Sequence, residues 1–277
     1  MDIRLIAFDL DGTFLNHEKE IPPRNLDAIR AAAEAGIWIV PASGRLYNGM
    51  PDALKLPFIR YYICGNGLCV YDAQENKELF SYTIPNELAL RTFDYAEQLG
   101  LPYDCYQNNR ALISHNYLER IGEIITEPAI LKFVRSIREP VGDLRAVVAD
   151  NGEPVQKIQF YFRDPQERRR QLALLPRLFP EYCISSSISC NIEINIAAAH
   201  KGHALDTLTR RLGFTPAEAM AFGDGINDIS MLQTAGLGVA MANAEPSVLA
   251  AADAVTASCD EAGVAQAIET YALKRAL

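Results

Sequence analysis

The chain is short of basic residues, of histidine and of paired cysteine, and it has no apolar run long enough to cross a membrane. Its 26 Lys and Arg stand against 35 Asp and Glu, a formal charge of -9. Proteins that coat nucleic acid or an anionic membrane need a basic surface, so neither is expected as a partner. An anionic substrate must then be captured by a few local groups. The histidines His17, His115, His200 and His203 show no ligand spacing beyond one His-x-x-His, and none is expected to bind metal or act in catalysis. The six cysteines include no Cys-x-x-Cys pair and mostly sit in apolar stretches. They read as small buried hydrophobes and not as disulfides or zinc ligands. The first apolar run begins at Ile3, which leaves no room for a leader, so a cytoplasmic location is expected.

What is present is ample apolar material. With 277 residues and 49% hydrophobic content the chain can bury one large core or two moderate ones. Ile3-Arg4-Leu5-Ile6-Ala7-Phe8 reads as a buried strand, an alanine-rich stretch at 27–35 as a helix stopped by Gly36, and Ile37-Trp38-Ile39-Val40 as a second strand. Strand, helix, strand is the unit of a parallel sheet. Residues 61–64 and 68–72 flank Gly65-Asn66-Gly67 as a hairpin. From about residue 85 the simple alternation stops. Helices are expected at 87–99, 127–137 and 165–178, with strands at 103–107, 111–114, 155–162, 182–187 and 192–196. The 155–162 stretch alternates polar and apolar residues, the pattern of an antiparallel sheet with one face open. After Lys201-Gly202 the alternation returns: helix 204–212, strand 219–222, helix 229–235, strand 238–241 and a last helix through 264–272. The expected fold is α/β, a doubly wound, Rossmann-like parallel-sheet core from 1–84 and 196–277, with an inserted α+β domain at 85–195.

Four polar loops end these strands or open a helix: Asp9-Leu10-Asp11-Gly12-Thr13, Ser43-Gly44-Arg45, Lys201-Gly202 and Gly223-Asp224-Gly225-Ile226-Asn227-Asp228. Strand ends of one parallel sheet lie on one edge, so these groups can converge. Asp9 and Asp11 are two apart on an extended segment and are expected to share a face. At about 4 Å such carboxylates repel by roughly 4 kcal/mol at an effective dielectric near 20, which calls for a cation or a shared proton. Together the loops hold the components of phosphoryl transfer. A carboxylate can attack phosphorus while a neighbouring acid serves the leaving oxygen and then water. Asp9 and Asp224 with a backbone carbonyl suit magnesium, Ser43 and the Gly44 N–H can donate to phosphate, and Lys201 adds positive charge. Arg45 is open between a substrate contact and a bridge to the inserted domain, and Asn243 between a functional role and capping the next helix.

These ordered motifs resemble those of the haloacid dehalogenase superfamily of phosphatases. Asn66-Gly67, Val239-Ala240-Met241-Ala242-Asn243-Ala244 and Ala262-Gly263-Val264-Ala265 extend the resemblance to the Cof-type subfamily, whose C2B cap is inserted where residues 85–195 lie. The resemblance implies Asp9 as nucleophile and Asp11 as general acid/base. It implies magnesium held by Asp9, the Asp11 backbone carbonyl and Asp224, and phosphate held by Ser43, Gly44, Lys201 and Asn227. Asp228 would orient Lys201 or a water, with Gly12, Arg45 and Asn243 nearby. Ser43 stands where the family more often has Thr, and it keeps the hydroxyl. A small phosphorylated metabolite is the expected partner, most readily a sugar phosphate, with flavin mononucleotide or pyridoxal phosphate as others. The chain is expected as a monomer or small homo-oligomer. A phosphomutase of similar architecture and a non-catalytic phosphometabolite-binding regulator are the alternatives.

Overall fold

The computed structural model describes residues 2–108, 110–186 and 188–273. These residues form two compact units, one from 1–81 with 199–277 and one from 82–198. In chain order the strands are β1 (Leu5–Phe8), β2 (Trp38–Pro41), β3 (Tyr61–Cys64), β4 (Cys69–Asp72), β5 (Lys77–Ser81), β6 (Tyr103–Gln107) and β7 (Arg110–Ser114). They continue as β8 (Arg138–Val141), β9 (Lys157–Tyr161), β10 (Tyr182–Ser185), β11 (Asn191–Ile196), β12 (Ala219–Gly223), β13 (Leu237–Ala240) and β14 (Ala254–Val255).

In the first unit, β14-β13-β12-β1-β2 make a parallel sheet, α/β in class as the alternation predicts. β1 and β12 are buried along their whole length, as central strands covered on both faces must be. An isolated parallel bridge between Ala42 and Ile63 joins the end of β2 to the antiparallel β3-β4-β5 meander. The β3–β4 pairing, Cys64 opposite Cys69, is the hairpin expected around Gly65-Asn66-Gly67. The helix Pro23–Glu34 starts four residues before the expected 27, because Pro22 and Pro23 pre-set a helical entry. The last helix begins at Gly263 and widens over Ile268–Ala272 into wider turns.

The second unit is an α+β domain whose sheet runs β10-β11-β9-β6-β7-β8, antiparallel except for β7 with β8. Sequence patterning missed β8, whose Pro140 argues against a strand; it is an edge strand, where a missing N–H is tolerated. It also missed the helix Leu144–Asn151, although Asp143 caps its first turn and Gly152 ends it. The expected strand at 182–187 ends at Ser185, and residue 187 lies outside the described residues. One sheet face packs an apolar core that includes Phe93, Tyr103, Ile158, Phe160 and Ile192. The other buries an ion pair: Arg138 Nε lies 2.7 Å from Asp104 Oδ2, and the Tyr161 hydroxyl donates to the same oxygen at 2.6 Å. Asp104 Oδ1 is buried without a partner. Among the cysteines, Cys64, Cys69, Cys105 and Cys259 are buried as expected, but Cys183 is exposed because it lies on edge strand β10.

Candidate active site

The chain leaves β1 toward β2 on one side, whereas from β12 it continues to β13 and β14 on the other. Connections that diverge in this way open a crevice at the carboxyl ends of the two central strands. Asp9 enters the crevice directly from β1, its N–H still bonded to the Phe222 carbonyl at 3.0 Å. Asp224 enters it from the end of β12. Gly12 turns the chain back with φ +90°, and a Cβ there would lie 2.4 Å from Asp224 Oδ2, so only glycine lets the two loops meet. The Thr13 hydroxyl then donates to Asp224 Oδ1 at 2.7 Å.

Lys201 comes from below. It is the first residue of the helix Lys201–Arg211, three residues earlier than the patterning predicts, because His200 Nδ1 accepts the His203 N–H at 3.1 Å and caps the start. A Cβ on Gly202 would lie 2.2 Å from the Ser230 carbonyl oxygen. Glycine therefore lets this helix press against Ile229–Thr234, which follows directly on Asp228. The Lys201 side chain is fully buried, its Nζ 2.5 Å from Asp9 Oδ1 and 2.6 Å from Asp228 Oδ1. Asp228 Oδ2 accepts the N–H groups of Asp224 and Gly225 at 3.1 and 3.0 Å, so both of its oxygens are committed.

Burial opposes every charge here. It pushes the Asp9 carboxyl from 3.8 up to about 7, against the pull of Lys201 and with the help of Asp228. Burial also disfavours the Lys201 ammonium, but Asp9 and Asp228 outweigh it and raise its pKa. Asp224 is likewise raised by burial, opposed by the Thr13 hydroxyl. Carboxylate oxygens of Asp9, Asp224 and Asp228 lie within 4.8 Å of one another, three acids against one lysine. Among the described residues, no hydrogen bond engages Asp9 Oδ2 or Asp224 Oδ2. Two hard oxygens free beside excess negative charge fit a divalent cation such as magnesium. A cavity of about 410 Å³ opens over them, lined by Asp9, Asp11, Ser43, Arg45, Asn227 and their neighbours.

The profile of the haloacid dehalogenase-like hydrolases matches residues 6–268, nearly the whole of this sequence. The chain belongs to that family. It is 30% identical over 281 residues to a 5-amino-6-(5-phospho-D-ribitylamino)uracil phosphatase of Bacillus subtilis, covering 99% of this chain and 97% of the relative. A pyridoxal phosphate phosphatase of Escherichia coli is 26% identical over 274 residues, covering 98% and 99%. Among solved structures, a haloacid dehalogenase-like hydrolase from Bacteroides thetaiotaomicron superposes with a TM-score of 0.77 at 29% identity, covering 97% of this chain and 99% of that one. The family expected from the motifs is the family found, and the chain is one of its phosphatases.

In this hydrolase Asp9 and Asp11 both line the cavity, but they do not share a charge problem as expected. Asp11 lies past the end of β1, in the turn, and its carboxylate pairs with Arg45 Nη2 at 3.0 Å and Lys19 Nζ at 2.9 Å. Burial is the largest single influence on its pKa and raises it, yet Lys19 and Arg45 together outweigh burial and hold the carboxyl below the usual range. The acids crowding Asp9 are Asp224 and Asp228, and Lys201 offsets them. Lys201 itself sits beneath Asp9 and off the cavity lining. Ser43 is buried, its N–H bonded to the Ile63 carbonyl and its Oγ accepting the Arg45 N–H at 3.2 Å. Gly44 lines the cavity next to Asn66. Asn227 donates to Asn66 Oδ1 at 2.9 Å. Asn243 does not cap the helix Pro246–Leu249; it donates to the Gly12 carbonyl at 2.8 Å and accepts the Cys259 N–H at 2.9 Å. Sequence reasoning did not single out Thr13, Lys19 or Asn66 as site residues. The glycines flanking Asn66 at a strand end were a usable signal, whereas Lys19 offered none.

Proposed function

We propose that this phosphatase is a magnesium-dependent phosphomonoesterase that works through an aspartyl-phosphate on Asp9. The observation that carries the reading is the asymmetry of Asp9. One oxygen is pinned by a buried lysine and the other is unengaged beside the cavity. Pinning fixes the Asp9 carboxylate beside a phosphorus held by Ser43, the Gly44 N–H and Asn227. Attack by an Asp9 carboxylate oxygen forms the phosphoryl–carboxylate bond and breaks the bond to the leaving oxygen, which takes a proton from Asp11. Asp11 then removes a proton from the water that cleaves the intermediate. Paired with Lys19 and Arg45, Asp11 is ionised, so before its acid step it must take up a proton from solvent as the arriving substrate displaces those cations. Asp9, the Asp11 backbone carbonyl and Asp224 would hold magnesium, which would supply charge neutralisation for phosphate and carboxylates. Lys201 keeps Asp9 ionised and oriented, and Asp228 keeps Lys201 in place.

In this reading the 82–198 unit is the cap and selects the rest of the substrate. The substrate is a small phosphorylated metabolite of the sugar-phosphate or pyridoxal-phosphate kind, as the relatives' names support. A cytoplasmic monomer or small oligomer accompanies this reading; no helix among the described residues is long and apolar enough to cross a membrane. The experiment is phosphate release from a panel of phosphomonoesters with magnesium, for the intact protein and for Asp9→Asn. Release by the former alone is expected. Equal release by the variant refutes the nucleophile, and isomerised sugar phosphate without free phosphate assigns a mutase.

A further inference from the structure

Three donor atoms from distant parts of the chain meet beside the strand-end loops. His17 lies in the turn after Asp9 to Thr13, and Cys259 and Asp260 lie in the tight turn Cys259–Glu261. His17 Nδ1 is 2.7 Å from Asp260 Oδ2 and 3.6 Å from Cys259 Sγ, and Sγ is 3.9 Å from Asp260 Oδ1. The His17 N–H donates to Asp260 Oδ1 at 3.0 Å, which fixes the turn against the carboxylate.

The cysteine and the aspartate face the same imidazole nitrogen. A nucleophilic relay needs them on opposite nitrogens, so a thiol–histidine–acid triad is excluded. A single nitrogen serves one neighbour, and the other contact of the thiol is a long one of 3.9 Å to Asp260 Oδ1, whereas a cation among the three residues engages all of them. Zinc bonds sulfur at about 2.3 Å and imidazole nitrogen at about 2.0–2.1 Å, so a tetrahedral ion sets those atoms about 3.6 Å apart. The observed separation of Sγ and Nδ1 is 3.6 Å. The nitrogen–oxygen pair must open by about 0.6 Å to meet the same geometry, which exposed side chains can do. Those of His17 and Asp260 are 67% and 52% exposed. Cys259 is buried and therefore held in place by the core, while the exposed pair leaves a path for the ion.

We propose that Cys259, His17 and Asp260 form a zinc site separate from the Asp9 and Asp224 centre. Thiolate, imidazole and carboxylate together are a donor set for zinc and not for magnesium. Binding forms the zinc–sulfur bond and releases the thiol proton to solvent. The ion would clasp two segments that reach the catalytic turn. The Cys259 N–H bonds Asn243, which bonds the Gly12 carbonyl, and the turn carrying His17 also carries Lys19, the partner of Asp11.

The test titrates the chelator-treated full-length protein with cobalt as a spectroscopic stand-in and with zinc by calorimetry, both in excess magnesium. One equivalent is expected to give a thiolate-to-cobalt charge-transfer band. Cys259→Ser should lose the band and weaken zinc binding by about a hundredfold. His17→Gln, an exposed change that leaves the core intact, should weaken it by about tenfold or more, with unchanged circular dichroism. Cys183→Ser should bind as the parent does. A band that survives in Cys259→Ser, zinc affinity unchanged in His17→Gln, or displacement of the ion by magnesium would each overturn the site.

Discussion

Asp9→Asn should make the metal-free protein more stable while abolishing turnover. Asp9 is buried, and in the absence of a metal its carboxyl is raised from 3.8 to about 7. A shift of about three units corresponds to roughly 4 kcal/mol spent on ionising this group in the folded state at pH 8. The amide has the same shape and no charge, and Lys201 keeps Asp228 at 2.6 Å. The weaker hydrogen bond that Lys201 then makes is already contained in that net shift, because Lys201 lowers the Asp9 value. The expected gain is therefore up to about 4 kcal/mol, or several degrees in Tm. The sign follows from proton linkage. Between 3.8 and about 7 the folded wild type binds more protons at Asp9 than the unfolded chain, so its stability falls as pH rises through that window. The advantage of the variant should therefore shrink by about 2–3 kcal/mol between pH 8 and pH 5. Magnesium should narrow the gap at pH 8, since it stabilises the wild type by about 2.7 kcal/mol at a hundred times its dissociation constant and the variant by less. Thermal melts with chelator at pH 5 and pH 8, and with magnesium at pH 8, measure all three effects. A chelated variant less stable than wild type at pH 8, or a difference indifferent to pH, would refute the account of Asp9 as an ionised group held at a cost.

Lys201→Met leaves Asp9 and Asp228 buried without their cation, and removing one partner from such a cluster costs about 3–5 kcal/mol. A fall in Tm that is smaller at pH 5 than at pH 8, with phosphate release lost at both, is the expected result. Lys19→Ala removes one of the two cations that hold the Asp11 carboxyl down, so the limb of the pH–rate profile set by Asp11 should move to higher pH. An unmoved profile in that variant assigns the limb to another group.

The sequence was sufficient for the alternation of strands and helices, because buried parallel strands must be apolar along their length and the loops that end them cannot be. It was sufficient for the family, since four polar loops in order mark strand ends wherever the helices lie. Local signals also placed most of the second unit, failing at His115–Arg120, at β8 and at Leu144–Asn151, where two short helices and an edge proline give little periodicity. What the linear order could not supply is which charges share a space. Spacing two apart suggested that Asp9 and Asp11 crowd each other, but the strand ends at Phe8 and the turn swings Asp11 to Arg45 and Lys19. Asp9 is crowded by acids more than 200 residues away and balanced by Lys201, 192 residues away, because β1 and β12 are neighbours in the sheet. His17 and Cys259 likewise lack any ligand spacing, being 242 residues apart, and only the closing of that sheet brings them to 3.6 Å. Periodicity reports which face of an element is buried, a local property. The partner of a buried charge is set by strand order, which no stretch of sequence contains.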